Sequence, residues 1–439
     1  MKKIPAPPPT RKLFDAVNES ELHQLIGGSA TTASGQYLHW DELRHRDPPT
    51  GLSLENWWLS MKFARLANMQ QLPMSDTLGK PFRYFLTPDV QRALHLIDSR
   101  AAGRIAMPEQ VSESGPKERF MVRSLIEEAI TSSQMEGAST THKAAMDMFR
   151  SGRQPANKAE RMIFNNLLGM TFIKKHKDDD LTPELVMEIH RTMTQGTLSE
   201  NLVGRIQKPG DERVAVYSNS THEILFEPPP AELLESRMQS MCDFANDAND
   251  GPFLHPVIRA IMLHFWLAYD HPFADGNGRT ARALFYWSML RNDYWLFEFI
   301  AISAILKKAQ AQYGRAFQYV ETDENDATYF INFQLEVIKR AVNAMKKYLA
   351  KKAREMGEAE QRFKASGEFN YRQLALLSHA LRVPGAEYTV KSHSVSHATT
   401  ANTARMDLRG LVNAGLLEER HPASGRKVIY VPAPNLHCE

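Results

Sequence analysis

The run His271-Pro272-Phe273-Ala274-Asp275-Gly276-Asn277-Gly278-Arg279-Thr280-Ala281-Arg282 constrains this chain more than any other stretch. It lies between two helical patterns, one opened by Pro256 and ending near Tyr269, the other opened by Arg279. The run is therefore expected to form a loop that enters a helix N-terminus. Gly276 and Gly278 allow positive φ and close approach of a ligand to the backbone. Successive amides at such a turn form an anion nest, and the helix N-terminus adds about half a positive charge. Arg279 and Arg282, three apart, project from one face of the new helix. Asp275 places one carboxylate beside this basic cradle, which suits Mg2+ held by a carboxylate together with substrate phosphates. His271, with an ordinary pKa of about 6.5, suits a general base. These residue types describe a phosphoryl or nucleotidyl transfer site and leave open which phosphorus is attacked.

The run resembles the signature of the Fic family, His-x-Phe-x-(Asp/Glu)-Gly-Asn-Gly-Arg-x-x-Arg, and meets every specified position. The resemblance extends over residues 118–349 and implies a mainly α protein, with an all-helical Fic core and a β-hairpin flap. It further implies a protein adenylyltransferase. In that scheme His271 deprotonates a Ser, Thr or Tyr hydroxyl of a target protein, the oxygen attacks the α-phosphorus of ATP, and pyrophosphate leaves. Asp275 would hold Mg2+. The amides of Gly276, Asn277 and Gly278 and the Asn277 side chain would bind phosphate oxygens, and Arg279 and Arg282 would neutralise the β- and γ-phosphates. Tyr313 resembles a tyrosine of the adenine pocket in relatives, although Gly314 stands where a second tyrosine is often found. The same site could run backwards and remove AMP.

A second resemblance lies upstream, where Ser132-Ser133-Gln134-Met135-Glu136-Gly137 is similar to the family's inhibitory pattern (Ser/Thr)-x-x-x-Glu-(Gly/Asn). A carboxylate in the last turn of a helix opposes the helix dipole, at a cost of about 0.3–1 kcal/mol when exposed. An arginine meeting Glu136 would relieve that, and the resemblance assigns this partner to Arg282.

The remaining pattern is largely helical. Met121, Leu125 and Ala129, with Ile126 and Ile130, predict a helix over 118–136, and Gly137 suits its C′ cap. A helix is expected over 158–174, and another is announced by Thr182 as N-cap and Pro183 at its first position. Residues 213–226 break the pattern. Val214, Val216 and Ile224 flank the polar turn Ser218-Asn219-Ser220-Thr221, so a hairpin is expected there. Its strand Val214, Ala215, Val216 and Tyr217 would dock an extended segment of the target. Ile331, Leu335, Ile338, Val342, Met345 and Leu349 form a 3.5-residue seam on a long helix that packs either on its own core or on a second copy, a homodimer. The order helix, helix, hairpin over 369–439 reads as a winged helix. Its second helix offers Thr399, Thr400, Asn402, Thr403, Arg405 and Arg409, with Arg426 and Lys427 on the wing. Asp407 is expected to interrupt this basic face, and Glu418 and Glu419 follow it, which favours a protein partner over DNA. The domain plan is thus 1–110, an N-terminal helical region; 111–350, the catalytic core with an inhibitory helix over 118–137; 351–368, a helical connector; and 369–439.

Composition limits the alternatives. A formal net charge of +2 over 439 residues argues against a non-specific nucleic-acid binder. The two cysteines, Cys242 and Cys438, make no disulfide framework, and no stretch is apolar and long enough to span a bilayer, so a cytoplasmic protein without membrane contact is expected. The rival readings are a Fic-family transferase of another phosphate-containing group, kinase-like in outcome, and a DNA-binding regulator whose core senses nucleotide.

Overall fold

The computed structural model describes residues 3–101, 114–213, 215–217, 224–247, 252–383, 386–397, 399–421 and 428–437. Two units are present, one formed by residues 1–103 with 125–342, the other by 104–124 with 343–439.

The first unit begins with short helical segments that lead into α1 (Leu54–Leu66), whose Ser53 cap accepts the Asn56 N–H. A hairpin follows, β1 (Gln70–Ser75) with β2 (Pro81–Tyr84), and then α2 (Pro88–Ala101). This hairpin lies in a region expected to be helical. Three charged or polar contacts join these elements to the distant segment 323–329. Lys62 Nζ donates to Asp323 Oδ1 at 2.7 Å, Arg65 donates to the Tyr329 hydroxyl at 2.7 Å, and Tyr37 donates to Asp326 Oδ2 at 2.6 Å. Lys62 and Arg65 are 1% and 0% exposed, so Lys62–Asp323 is a core ion pair and Arg65 a core charge held by hydrogen bonds to the Tyr329 hydroxyl and to the Ala30 and Leu38 carbonyls.

The helices that carry the site follow in chain order. These are α3 (Ser114–Met135), α4 (His142–Ser151), α5 (Lys158–Lys175) and α6 (Pro183–Thr194). The α6 start is the expected one, with Thr182 Oγ1 accepting the Leu185 N–H and Pro183 in the first turn. A short hairpin, β3 (Val216–Tyr217) with β4 (Ile224–Phe226), falls where the pattern broke. Its register shifts between Val216↔Phe226 and Tyr217↔Ile224, a bulge on β4. Val214 and the turn over 218–223 lie outside the described residues.

Helices α7 (Leu234–Ala245), α8 (Pro256–Asp270) and α9 (Asn277–Arg291) come next. Nearly every residue of α8 and α9 is buried, including Trp266, Phe285 and Trp287, so this antiparallel pair is the centre of the core. Such a pair holds the intervening loop 271–276 at a fixed place. Helices α10 (Ser303–Lys308), α11 (Gln310–Thr322) and α12 (Thr328–Ser366) complete the set. Ile331, Leu335, Ile338 and Val342 are all at most 2% exposed within the chain, so over this stretch the seam serves the chain's own core.

In the second unit, α13 (Tyr371–Arg382), α14 (Val390–Ser396) and α15 (Ala401–Asn413) precede β5 (Leu417–Arg420) and β6 (Ile429–Pro432). The two strands pair antiparallel, and Tyr388 adds a bridge to Tyr430. Leu377, Leu381, Leu408, Leu411 and Tyr430 form its core. Asp407 is not on an exposed face. It is 4% exposed and accepts hydrogen bonds from Arg372, Asn370 and His393. Burial works to raise its pKa, but these donors outweigh burial and hold it below the usual carboxylate value. Arg426, Lys427 and Cys438 lie outside the described residues, and Cys242 is buried. Among the described residues no helix is long and apolar enough to cross a membrane.

Candidate active site

Helix α8 stops because His271 turns left-handed, with φ 47° and ψ 51°. A non-glycine residue in this region is strained by about 1–3 kcal/mol and persists only where the surroundings over-determine it. Here the surroundings do. Arg213 donates to the carbonyls of Asp270 (2.8 Å), His271 (3.0 Å) and Pro229 (3.0 Å), tying the loop to the base of the β3–β4 hairpin. The Asp270 carboxylate accepts from Arg237 Nε at 2.8 Å and Trp266 Nε1 at 3.1 Å. The ring of His271 is half-buried, and its Nδ1 faces the Ala268 carbonyl at 3.4 Å. That contact puts the proton on Nδ1 and leaves the Nε2 lone pair to act as a base. Burial lowers the His271 pKa from its ordinary value, outweighing the opposite influence of Ala268, Glu136 and Asp275.

The loop then enters α9 as expected, although the helix starts at Asn277 rather than at Arg279. Gly276 is left-handed at φ 87°, and a Cβ there would lie 2.7 Å from Thr194 Cγ2 and 3.2 Å from His190 Nε2. Gly278 is helical, not left-handed, and its lack of a side chain serves close approach alone. The Asn277 side chain, expected on phosphate oxygens, is instead 2% exposed and staples the loop. Its Oδ1 accepts the Phe273 N–H at 2.9 Å and its Nδ2 donates to the Phe273 carbonyl at 2.6 Å. Contact with an anion is thereby left to the backbone amides of the helix N-terminus. The Asp275 carboxylate is 46% exposed, 3.8 Å from Arg279 Nη2, with Oδ1 accepting the Gly276 N–H.

Both arginines are inside. Arg279 donates through Nη1 to the Met193 carbonyl at 2.8 Å, while its Nε and Nη2 are buried without a hydrogen-bond partner. Arg282 donates through Nε to Ser132 Oγ at 2.8 Å, and through Nη2 to the Ser132 carbonyl at 3.2 Å and to Glu136 Oε1 at 2.8 Å. The Glu136 carboxylate also covers Gly278: a Cβ built there would meet Glu136 Oε1 at 2.1 Å. Thus Ser132 and Glu136 converge on Arg282, the Glu136 contact being the one the upstream resemblance assigned. Helix α3 ends at Met135, and Glu136 is the residue just beyond it. The Gly137 N–H bonds the Gln134 carbonyl, the Ala138 N–H bonds the Ser133 carbonyl, and Gly137 has φ 91°. This is a Schellman cap, which aims the preceding side chain across the gap to α9.

Tyr313, on α11, has its hydroxyl 2.9 Å from His264 Nε2, and burial pushes its pKa up to about 12. The Arg282 guanidinium acts in the opposite direction, lowering that pKa. On the hairpin, Phe226 packs on Tyr269 at 4.8 Å between ring centroids, and Ile224 is 48% exposed.

Two residues that position the loop were not singled out from the sequence. His190 stacks on Phe273 at 3.8 Å between centroids; it accepts the Gly204 N–H at Nδ1 and sits 2.8 Å from the Asp275 carbonyl through Nε2. The donor at Nδ1 fixes the Nε2–H tautomer, and burial lowers its pKa to about 4, so it is neutral near pH 7. Its only signal was a histidine on the apolar face of the helix opened by Thr182. Arg213 was used only to mark the start of the hairpin.

Residues 180–289 match the Fic/DOC family. That segment is similar to the Fic/DOC family, and the loop 271–282 lies inside the match. Over 193 residues it is 28% identical to the protein adenylyltransferase Fic of Nematostella vectensis, covering 42% of this chain and 40% of the relative. It is 31% identical over 121 residues to the protein adenylyltransferase fic-1 of Caenorhabditis elegans, covering 28% of this chain and 21% of the relative. The matched segments thus span less than half the length of these relatives. A crystal structure of a Fic family protein from Desulfovibrio desulfuricans G20 superposes with a TM-score of 0.51 at 18% identity, covering 83% of this chain and 99% of that one. This likeness supports the mainly α fold.

Proposed function

We propose that this chain is a protein adenylyltransferase that moves AMP from ATP to a Ser, Thr or Tyr hydroxyl of a target protein, and that Glu136 holds it in check. The observation that carries the reading is the Glu136 carboxylate resting on the helix N-terminus at Gly278 while paired with Arg282. One anion already occupies a cradle built for anions. Arg279 Nε and Nη2 have no hydrogen-bond partner, Nη2 lying 3.8 Å from the Asp275 carboxylate, which leaves them donors to offer a phosphate oxygen.

In this reading His271 Nε2 accepts the proton of the target hydroxyl, a step worth about 10²–10⁴ in rate. The amides of Gly276, Asn277 and Gly278 and the guanidinium groups of Arg279 and Arg282 hold the triphosphate and the charge that develops on the leaving pyrophosphate. Asp275 is half-exposed beside them, and a single carboxylate suits Mg2+ bound jointly with substrate phosphates and water. When bound, the ion would neutralise phosphate charge. Tyr313 would line the adenine pocket, and Ala215, Val216 and Tyr217 would dock the target segment as an added strand.

The test is incubation with α-labelled ATP, Mg2+ and a cell lysate, following label into protein. The second reading, a kinase-like transferase, has less support because both arginines and the Gly-Asn-Gly turn are intact. Label from γ-labelled ATP alone would establish it.

We read residues 369–439 as a winged helix whose α15 faces a protein partner. With Asp407 buried, the exposed face of α15 carries Asn402, Arg405, Met406 and Arg409, and Val395 of α14 is 74% exposed. Exposed apolar groups between charges suit a protein contact. A gel shift with genomic duplex DNA at physiological salt would reverse this assignment.

A further inference from the structure

Helix α3 carries a buried carboxylate two turns before Glu136. Glu128 is 1% exposed. Its Oε2 accepts from the Tyr286 hydroxyl at 2.9 Å and from the Ser303 N–H at 3.0 Å, and its Oε1 accepts from the Ser303 hydroxyl. Tyr286 lies one turn beyond Arg282 on α9, and its oxygen also accepts the Ile302 N–H at 2.8 Å. One buried carboxylate therefore ties α3 both to the helix that bears Arg282 and to the start of α10.

Away from Glu128, α3 packs through Ile126, Ala129 and Ile130 on Ala145 and Met148 of α4 and on Met162 and Ile163 of α5. Apolar contacts of that kind tolerate a small slide along the helix axis. Hydrogen bonds to a buried carboxylate do not, because a donor moved out of range leaves the charge unpaired. Residues 128, 132 and 136 are four apart and share one face. The Ser132 and Glu136 contacts with Arg282 thus depend on the same register that Glu128 fixes. A slide of about 1 Å would take a 2.8 Å contact out of hydrogen-bond range.

We propose that Glu128 is a positioning residue that locks the register of α3 against α9, and thereby sets how fully Glu136 covers Arg282 and Gly278. The proposal rests on the reading of Glu136 as the inhibitory group. Glu128→Gln keeps the shape, removes the charge and sets an amide NH2 against donors.

The experiment compares wild type, Glu128→Gln, Glu136→Gly and the double variant in two measurements: self-modification with α-labelled ATP, and amide hydrogen exchange of residues 125–135. Glu128→Gln is expected to raise self-modification severalfold when Glu136 is present, to add nothing in Glu136→Gly, and to speed exchange in α3. A folded Glu128→Gln with wild-type labelling and wild-type exchange overturns the proposal. So does an equal change in both backgrounds, which would mark a general effect on the fold. If Glu128→Gln does not fold, Tyr286→Phe removes one of the same bonds and is judged by the same outcomes. If Glu136→Gly itself brings no gain, the inhibitory reading fails, and the exchange data still decide whether Glu128 locks the helix.

Discussion

The Glu136 carboxylate and the Arg282 guanidinium meet at 2.8 Å, with the arginine side chain 2% exposed and the glutamate 30% exposed. Under the proposed function, one arginine would serve two anions that cannot be present together. While Glu136 holds Nη2 and covers Gly278, a phosphate cannot occupy the same donors. The same pair is about a third open to solvent on its acidic side, so a polyanionic ligand can compete for it.

His271→Ala should abolish AMP transfer and leave ATP binding within about twofold, because the cradle is built from amides and arginines and not from the imidazole. Parallel calorimetry with ATP and labelling assays on Glu136→Gly and on the double variant check this. Loss of binding together with transfer would take His271 out of the role of base.

The pH profile follows from the direction of the His271 shift. A group with a lowered pKa keeps its free-base form below the ordinary value of about 6.5 and loses it only as pH falls through the lowered pKa. The acid limb of kcat/KM should therefore have its midpoint below 6.5. Glu136 raises the His271 pKa, so Glu136→Gly should move that limb further toward acid. An acid limb centred at or above 6.5 in both forms would show that another group is titrating.

Asp275→Ala should leave a low residual activity that no longer responds to Mg2+. The half-exposed carboxylate is the one acidic side chain of the loop. Titrating Mg2+ against rate at fixed ATP separates the cases, and a variant with wild-type rates at ordinary Mg2+ would remove Asp275 from the metal site.

Much of this site is legible in the sequence because its parts are local. The loop, its two arginines, the Thr182–Pro183 helix start and the Gly137 cap all depend on residues within a few positions of each other. What was hidden depends on distance along the chain. His190 meets the Asp275 carbonyl 85 positions away, and nothing in the helix period distinguishes it from a core histidine. The role of Asn277 changed because its nearest partner is the Phe273 backbone, not a ligand. The β1–β2 hairpin was missed because Gln70-Gln71-Leu72-Pro73-Met74-Ser75 lacks β-branched residues and contains a proline. It is anchored by a bond from the Arg83 N–H to the Asn325 carbonyl, far along the chain. Asp407 read as a surface charge because its partners Arg372 and His393 sit on other helices.

The buried pair Lys62–Asp323 supplies a test of the fold apart from activity. Both side chains are at most 2% exposed. Removing one partner of such a pair costs about 3–5 kcal/mol, because the other charge is left without compensation. Lys62→Met should therefore lower the stability of the first unit by that amount in urea denaturation. A loss below about 1 kcal/mol would mean that Arg65 alone suffices for Asp323.

The most direct measurement compares label from α- and γ-labelled ATP on wild type, Glu136→Gly, and Glu136→Gly combined with Arg282→Ala. A charge-assisted contact of this kind is worth about 1.5–3 kcal/mol, so releasing Arg282 should raise activity by about one to two orders of magnitude. The account predicts that Glu136→Gly incorporates the α-label at this higher level, that γ-label stays off the protein, and that Arg282→Ala abolishes the gain. A folded Glu136→Gly that takes up no more α-label than wild type, on itself or on a lysate, would contradict it.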